Sequence, residues 1–109
     1  MTARSKYNNR ITVIDNHRFH SLAEAHRYGE LKLLALAGKI RNLTLQPCYP
    51  IRINGEHICN YIGDFEYVDC TTNQRVTEDV KSEATVTQVY ILKRKLMLAV
   101  HHIKIVEVM

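Results

Sequence analysis

The sequence predicts an α/β domain with the element order hairpin, helix, three strands, helix, strand. A capped helical segment begins at Ser21, runs of extended residues follow it around an Asn54-Gly55 turn, and a second helical stripe covers residues 85–100. The 109 residues, 46% hydrophobic and 24% charged, suffice for one domain with one core. We therefore expect a single domain over residues 11–109, preceded by a flexible basic arm over residues 1–10.

The first elements follow from local turn and capping signals. Residues 11–14 and 18–20 flank Asp15-Asn16-His17, a pattern typical of a short hairpin with Asn near the turn. Ser21 followed by Glu24 predicts a capping box at the start of the first helix. Gly38 predicts the end of that helix, because glycine readily adopts the left-handed conformation that follows a helix C-terminus.

Three extended segments fill the middle of the chain. We predict one strand from residue 42 to residue 53, a return strand over 57–68, and a third strand over 75–81. Apolar residues at helical spacing predict the second helix, and partial alternation over residues 103–108 predicts a final strand. Gly63, beside Asp64 in the return strand, indicates a bulge or a close approach of the backbone to another group.

Charged residues on the last two of these strands form a candidate site. Asp79 and Lys81 are two residues apart, so on a strand they share one face while Val80 points into the core. A hairpin can bring Asp64 beside them. Two carboxylates and an ammonium are poor material for a core, since an unpaired buried charge is costly. They are well suited to a hard cation with a nucleophilic water.

Composition restricts compartment and partners. The chain has no apolar run long enough to span a bilayer, and no apolar stretch follows its basic N-terminus, which argues against a signal peptide. Three widely spaced cysteines form neither a disulfide framework nor a zinc motif and favour a reducing cytoplasm. The formal net charge of +4 is a mild indication of a polyanionic partner.

The ordered motifs resemble one nuclease superfamily. Ser21-x-x-Glu24 opening a helix, then Gln46-Pro47, Asp64 and Asp79-x-Lys81 on successive strands, resemble the PD-(D/E)XK nucleases with their restriction-endonuclease-like core. The nearest likeness is to small phage-encoded members grouped with Holliday-junction resolvases. The likeness runs from residue 11 onward. It departs from the usual pattern at Gly63, where the superfamily's name has Pro, and at Ser82, where Gly is expected.

The resemblance implies a metal-dependent mechanism. Asp64, Asp79 and the backbone carbonyl of Val80 would bind a divalent cation, Mg²⁺ with Mn²⁺ as a possible substitute. A metal-bound water would attack the scissile phosphorus. Lys81 would orient or help deprotonate that water and offset charge in the transition state.

Two further side chains are implied on the same grounds. Glu24 would complete the site or help to hold a second metal, and Glu30 is the rival for that role. Glu24 is favoured because it belongs to the Ser-x-x-Glu match. Gln46 would bind the metal water or a phosphate oxygen.

The implied substrate is DNA, and the implied enzyme is a homodimer that makes paired cuts in branched DNA inside a phage-infected bacterial cytoplasm. We expect phosphate contacts without sequence preference, because no helix carries a compact set of residues for reading base edges. The expected DNA contacts are Arg4, Lys6, Arg10, Tyr90, Lys93, Arg94 and Lys95.

Other interpretations compete with this one. Lys93, Arg94 and Lys95 are also consistent with a merely solvated basic helix face. The domain is alternatively a non-catalytic nucleic-acid-binding module on the same fold, or a phage protein that binds a host protein. Among nucleases, a nicking or flap endonuclease is the alternative to a junction resolvase.

Overall fold

The computed structural model describes residues 11–109, so the predicted arm and its Arg4, Lys6 and Arg10 lie outside the described residues. Eight strands and two α-helices make up the described part of the chain. In order they are β1 (Thr12–Ile14), β2 (His17–Phe19), α1 (Leu22–Leu36), β3 (Ile40–Leu45), β4 (Cys48–Ile53), β5 (Glu56–Ile62), β6 (Phe65–Asp69), β7 (Gln74–Val80), α2 (Gln88–His101) and β8 (Val106–Val108).

A mixed four-stranded sheet lies at the centre, with the order β3-β6-β7-β8. The pairs β3–β6 and β6–β7 are antiparallel, whereas β7–β8 is parallel. Helix α1 and the β1–β2 hairpin pack on one face, and α2 with the β4–β5 hairpin packs on the other. The prediction of an α/β domain with a mixed sheet and two helices is confirmed.

Both predicted hairpins form, and their turns explain why. Asp15 and Asn16 have φ angles of 53° and 65°, and Asn54 and Gly55 have φ angles of 53° and 80°. Two successive left-handed residues give the turn whose twist matches a two-residue hairpin. Asn, Asp and Gly reach this conformation most readily, so these local sequences were sufficient to place the turns.

The central strands correct the prediction, because five strands stand where three were expected. The first long run breaks at Gln46-Pro47 and the second at Gly63-Asp64. The two breaks lie side by side: the Gln46 N–H donates to the Asp64 carbonyl at 2.9 Å, and the Gly63 N–H donates to the Pro47 carbonyl at 3.0 Å. Proline has no N–H to donate, and Gln46 has a φ of 50°, so the chain leaves the main sheet here as a separate β4–β5 hairpin.

Helix α1 begins and ends where predicted, but its capping box is altered. The Ser21 hydroxyl accepts the Glu24 N–H at 3.1 Å. The Glu24 carboxylate accepts the N–H of His20, at 3.4 Å, rather than that of Ser21. Gly38 follows the helix with a φ of 74°.

Helix α2 begins three residues later than predicted, at Gln88. Glu83–Thr85 form a short 3-10 helix in which the Thr85 hydroxyl accepts the Ser82 N–H at 2.8 Å. This side-chain contact competes with a continuous helix. Thr87 is the N-cap, and its hydroxyl accepts the Tyr90 N–H at 3.1 Å.

Apolar residues gather into two clusters, one on each face of the sheet, where the sequence predicted one core. On the α1 face lie Phe19, Ala25, Tyr28, Leu31, Ile40, Phe65 and Tyr67. On the α2 face lie Tyr49, Ile51, Tyr61, Tyr90, Met97 and Ile105. Within residues 11–109, neither helix combines the length and the apolarity that crossing a bilayer requires.

Candidate active site

Strand β7 divides its side chains between the two faces of the sheet. Val80 packs against the core on the α1 face, whereas Asp79 and Lys81 lie on the α2 face. Asp79 is only 4% exposed, and its Oδ1 lies 3.3 Å from the Lys81 ammonium nitrogen. The predicted side-by-side arrangement of Asp79 and Lys81 is confirmed.

Asp64 joins this pair from the junction between β5 and β6. Its backbone N–H donates to the Glu78 carbonyl at 3.0 Å, and its Oδ2 accepts the Val80 N–H at 2.7 Å. These two bonds hold the Asp64 carboxyl within hydrogen-bonding distance of the Asp79 carboxyl. The structure therefore brings together the three side chains on which the sequence prediction depended.

Gly63 makes this approach possible. A Cβ atom at this position would lie 3.3 Å from the Thr77 Cγ2 and 3.6 Å from the Pro47 ring. A larger residue would push the bend away from β7. The close approach predicted at Gly63 is confirmed, and it sets how near Asp64 comes to Asp79.

The two carboxyl groups cannot both be ionised at low cost. Burial, followed by hydrogen bonding to Asp79 and the charge of that residue, raises the pKa of Asp64 to about 8. The Val80 N–H acts in the opposite direction but is the weaker influence. A proton or a bound cation at this pair therefore relieves the repulsion between the two carboxyl groups.

Glu24 approaches the same site from the start of α1. The residue is half-buried and lies close enough to Asp79 and Lys81 for their charges to affect it. Burial is the main cause that raises the pKa of Glu24, and Asp79 adds to it. Glu30 is exposed instead and pairs with Arg27 at 3.4 Å, and the choice of Glu24 over Glu30 as a further member of the site stays a prediction.

Tyr61 is a member of the site that sequence reasoning missed. It is 2% exposed, and its hydroxyl donates to Asp79 Oδ2. Burial and the neighbouring Asp79 raise the pKa of Tyr61, so the hydroxyl remains a donor over the ordinary pH range. The sequence feature that could have identified Tyr61 is its position two residues before the Gly63-Asp64 bend.

A second missed element supports Lys81. The Lys81 ammonium nitrogen lies 4.2 Å from the centroid of the Tyr90 ring, a cation–π contact. The Tyr90 hydroxyl donates to Glu107 Oε2 at 2.7 Å, and Arg94 donates to the same oxygen at 2.8 Å. Hydrogen bonding from Tyr90, followed by that from Arg94, helps to hold the pKa of Glu107 below its usual value. Helix α2 and strand β8 thus jointly fix the aromatic surface on which Lys81 rests.

On the opposite face, a buried ion pair ties α1 to β7. Arg27 donates to both carboxylate oxygens of Glu78, at 2.8 and 2.6 Å, and the Tyr67 hydroxyl donates to Glu78 as well. Glu78 is 1% exposed. The pair therefore links α1, the helix that also carries Glu24, to the strand that carries Asp79. The sequence signal was a glutamate on an otherwise apolar strand face.

Gln46 lies beside the site through its backbone. Its N–H donates to the Asp64 carbonyl, and the residue is exposed at the bend. A contact of its side chain with water or phosphate stays a prediction.

The site opens into a cleft of about 260 Å³ between β5 and α2. Asp79 and Lys81 lie at its base. Its two walls are tied together by Lys93 of α2, which donates to the Asn60 carbonyl of β5 at 3.0 Å. The walls consist of Asn60, Tyr61 and Ile62 on one side and Thr87, Val89, Tyr90 and Lys93 on the other.

The expected DNA contacts on α2 separate into two groups. Tyr90 is 6% exposed, its hydroxyl donates to Glu107, and its ring lies against Lys81, so a contact of Tyr90 with DNA stays a prediction. Arg94 pairs with Glu107. Lys93 lines the cleft and Lys95 is exposed, so these two lysines present their charges most directly to a ligand.

The donor set suits a small hard cation held by few protein ligands. No group of three or more His, Cys, Asp or Glu side chains converges as a metal site within residues 11–109. Asp64 and Asp79 do converge as a pair. Mg²⁺ is commonly held by one or two carboxylates, with water and substrate phosphate as its other ligands. The pair fits this requirement, and the Val80 carbonyl as a further ligand stays a prediction.

Fold and cleft together define a mixed α/β domain with a carboxylate–lysine cluster on one face of its sheet. Residues 4–107 match the family described as "Protein of unknown function (DUF1064)", and the chain therefore belongs to that family. The search of curated proteins and the search of solved structures each returned no match.

Proposed function

We propose that the protein is a metal-dependent endodeoxyribonuclease that hydrolyses phosphodiester bonds in branched DNA. The observation that carries the proposal is the meeting of Asp64, Asp79 and Lys81 in one cluster, of which Asp79 and Lys81 line the cleft, with Glu24 close by. Two carboxylates and a lysine beside an open space are the groups that phosphodiester hydrolysis with a divalent cation requires.

The order of the elements supports a PD-(D/E)XK core. That core is a helix, three antiparallel strands, a second helix and a fourth strand. Its counterparts here are α1, the neighbouring strands β3, β6 and β7, then α2, and finally β8 parallel to β7. The β4–β5 hairpin is then an insertion that forms one wall of the cleft.

Asp64 and Asp79 are the residues that would hold Mg²⁺, or Mn²⁺ in its place. The cation, when bound, supplies a water of lowered pKa and polarises the phosphate. Asp64 has to be ionised to serve as a ligand, and burial beside Asp79 raises its pKa, so metal binding would be coupled to the release of a proton from this carboxyl. The Tyr61 hydroxyl restricts the rotation of Asp79 and keeps its other oxygen toward Lys81.

Lys81 provides the positive charge beside the reacting phosphate. Its ammonium is 3.3 Å from Asp79 and rests on the Tyr90 ring, so its direction is set before substrate arrives. In that position it would orient the attacking water and offset negative charge in the transition state. Glu24 is the side chain that would accept a hydrogen bond from the same water or from a second one.

Lys93 and Lys95 supply phosphate contacts that do not depend on sequence. A domain this small reaches two strands of a junction only as a pair, so we propose a homodimer with one active site in each subunit. Light scattering on the protein with and without four-way junction DNA tests this. A monomer under both conditions contradicts the dimer but leaves the nuclease proposal intact.

The decisive experiment is a cleavage gel with the full chain. Linear duplex, single-stranded, flap and four-way junction DNA are incubated with Mg²⁺ or Mn²⁺, alongside Lys81→Ala and the control Lys39→Ala, which removes an exposed lysine outside the cleft. We expect cleavage of branched substrates that Lys81→Ala abolishes and Lys39→Ala retains. DNA binding without cleavage, together with no calorimetric signal for Mg²⁺, would identify a non-catalytic binding module instead.

A further inference from the structure

Two exposed aliphatic side chains line the cleft beside the charged groups. Ile62, at the end of β5, is 61% exposed, and Val89, in the first turn of α2, is 63% exposed. They belong to opposite walls of the space that has Asp79 and Lys81 at its base. The cleft therefore presents positive charge and apolar surface to the same ligand.

A backbone phosphate alone does not account for this composition. Phosphate oxygens are matched by ammonium groups and N–H donors, whereas the contact of an aliphatic group with an anion is not favourable. Ile62 and Val89 contribute favourable binding free energy only when an apolar surface covers them, at roughly 25 cal/mol per Å² of apolar area removed from water. The ligand that fits the cleft thus combines an anion with a neighbouring apolar surface.

We propose that Ile62 and Val89 form a subsite for an unpaired nucleobase adjacent to the scissile phosphate. This inference rests on the proposed nuclease function and specifies its substrate class. The phosphate lies toward Lys81 and Lys93, and the faces of the base pack against the two aliphatic side chains. Lys93 closes the end of the space through its bond to Asn60.

The subsite selects DNA in which a base has left the stack. In a duplex, both faces of every base are covered by its neighbours, so no base face is available to the cleft. At a branch point or in a flap, the unpaired base brings its own apolar faces without the cost of unstacking. Selection of branched over linear DNA then follows from the cleft itself, without contacts to base edges.

The test is a comparison of normal and abasic flap substrates. The abasic nucleotide stands next to the cleaved bond, so the sugar and phosphate are retained and only the base is removed. We expect the wild-type protein to cleave the abasic substrate about fivefold more slowly, which corresponds to about 1 kcal/mol, the lower end of the range for a base stacked on an aromatic side chain. For the Ile62→Ser and Val89→Ser variants, the cleavage rates on the two substrates should differ by less than about threefold.

Matched controls come from the same two elements. Ile58→Ser on β5 and Leu98→Ser on α2 remove exposed aliphatic side chains that do not line the cleft. These variants should discriminate against the abasic substrate as the wild type does. Thermal unfolding of all four variants identifies any that fail to fold. If Ile62→Ser and Val89→Ser slow the cleavage of both substrates by the same factor, the two side chains act on the fold or on the sugar and not on the base. That result would overturn the proposal.

A binding measurement separates this proposal from the nuclease proposal. Flap DNA carrying 2-aminopurine at the position beside the expected cut reports on stacking through its fluorescence, without any cleavage. A change on binding that Ile62→Ser and Val89→Ser remove supports the base subsite even when no DNA is cut. No change in fluorescence when the wild type binds would overturn the proposal. A dimer that is present in the wild type and lost in Ile62→Ser by light scattering would also overturn it, because a second copy of the chain would then cover this side chain.

Discussion

Neighbouring residues on β7 carry two carboxylates into opposite environments. Glu78, on the α1 face, receives two hydrogen bonds from Arg27 and one from Tyr67. Asp79, on the α2 face, contacts the carboxyl of Asp64 and pairs with the Lys81 ammonium at 3.3 Å.

The difference separates a structural carboxylate from a reactive one. A bidentate guanidinium and a phenol satisfy the oxygens of Glu78, so no further ligand is required there. On the other face, two carboxyl groups in contact are stable only with a shared proton or a bound cation. Buried charge is therefore common to both faces, and the feature that distinguishes the proposed active site is the repulsion between two carboxyl groups beside an open cleft.

The largest expected effect comes from removing the reactive pair. Asp79→Asn should reduce DNA cleavage by about 10³-fold or more, because it takes away a metal ligand and the partner of Lys81. Calorimetric titration with Mg²⁺ should show binding to the wild type and none to the variant. Glu83→Gln, which changes an exposed carboxylate, is the matched control. Full cleavage by Asp79→Asn would place the chemistry elsewhere.

Breaking the structural pair should affect folding. Arg27→Met leaves the buried Glu78 without its cation and should lower the free energy of unfolding by about 3 to 5 kcal/mol. Urea titration measures this. Replacing Arg41, an exposed arginine, by Met should cost much less. If Arg27→Met lowers the free energy of unfolding only slightly, Glu78 takes up a proton or a water readily. That result would contradict the role of Glu78 as a structural carboxylate.

The pH dependence of stability sharpens the contrast. Between the ordinary pKa of 3.8 and the folded value of about 8, folded metal-free protein keeps a proton on Asp64 that the unfolded chain releases. Stability should therefore fall as the pH rises through this window. Asp64→Asn should flatten the curve and stabilise the metal-free protein at pH 8 by roughly 1 to 3 kcal/mol. Thermal unfolding with chelator from pH 4 to 8 measures it, and a steeper curve in the variant would contradict the assignment.

The smallest expected effect concerns the support of Lys81. Tyr90→Leu removes the aromatic ring and should lower kcat about tenfold, whereas Tyr90→Phe keeps the ring, loses only the bond to Glu107 and should change kcat about threefold or less. KM should change little in both. An equal loss in the two variants would show that the hydroxyl, not the ring, is what Lys81 depends on.

The features that were predicted correctly depend on interactions between residues close together in the sequence. The turn at Asn54-Gly55 and the shared face of Asp79 and Lys81 depend on residues within two positions of each other. Their conformations are set by local sterics and by the alternation of side chains along a strand, and both predictions are confirmed.

The breaks at Gln46-Pro47 and Gly63-Asp64 were not predicted, although Pro and Gly often mark an irregularity in a strand. Either run could have continued as a bulged strand. The break became favourable because the two bends exchange hydrogen bonds with each other and the β4–β5 hairpin buries Tyr49, Ile51 and Tyr61 against α2. A pairing between segments 17 residues apart leaves no periodic signature in either one.

By itself, the sequence determined the local elements and the face of each strand on which a charge lies, since these depend on backbone sterics and a two-residue repeat. Tertiary structure alone decided which charges are satisfied. Arg27 reaches Glu78 across 51 residues, while Asp64 meets a second carboxyl group, that of Asp79, instead of a cation. The reason is that the energy of a buried carboxylate depends on the groups that pack around it, and only the folded chain selects those neighbours.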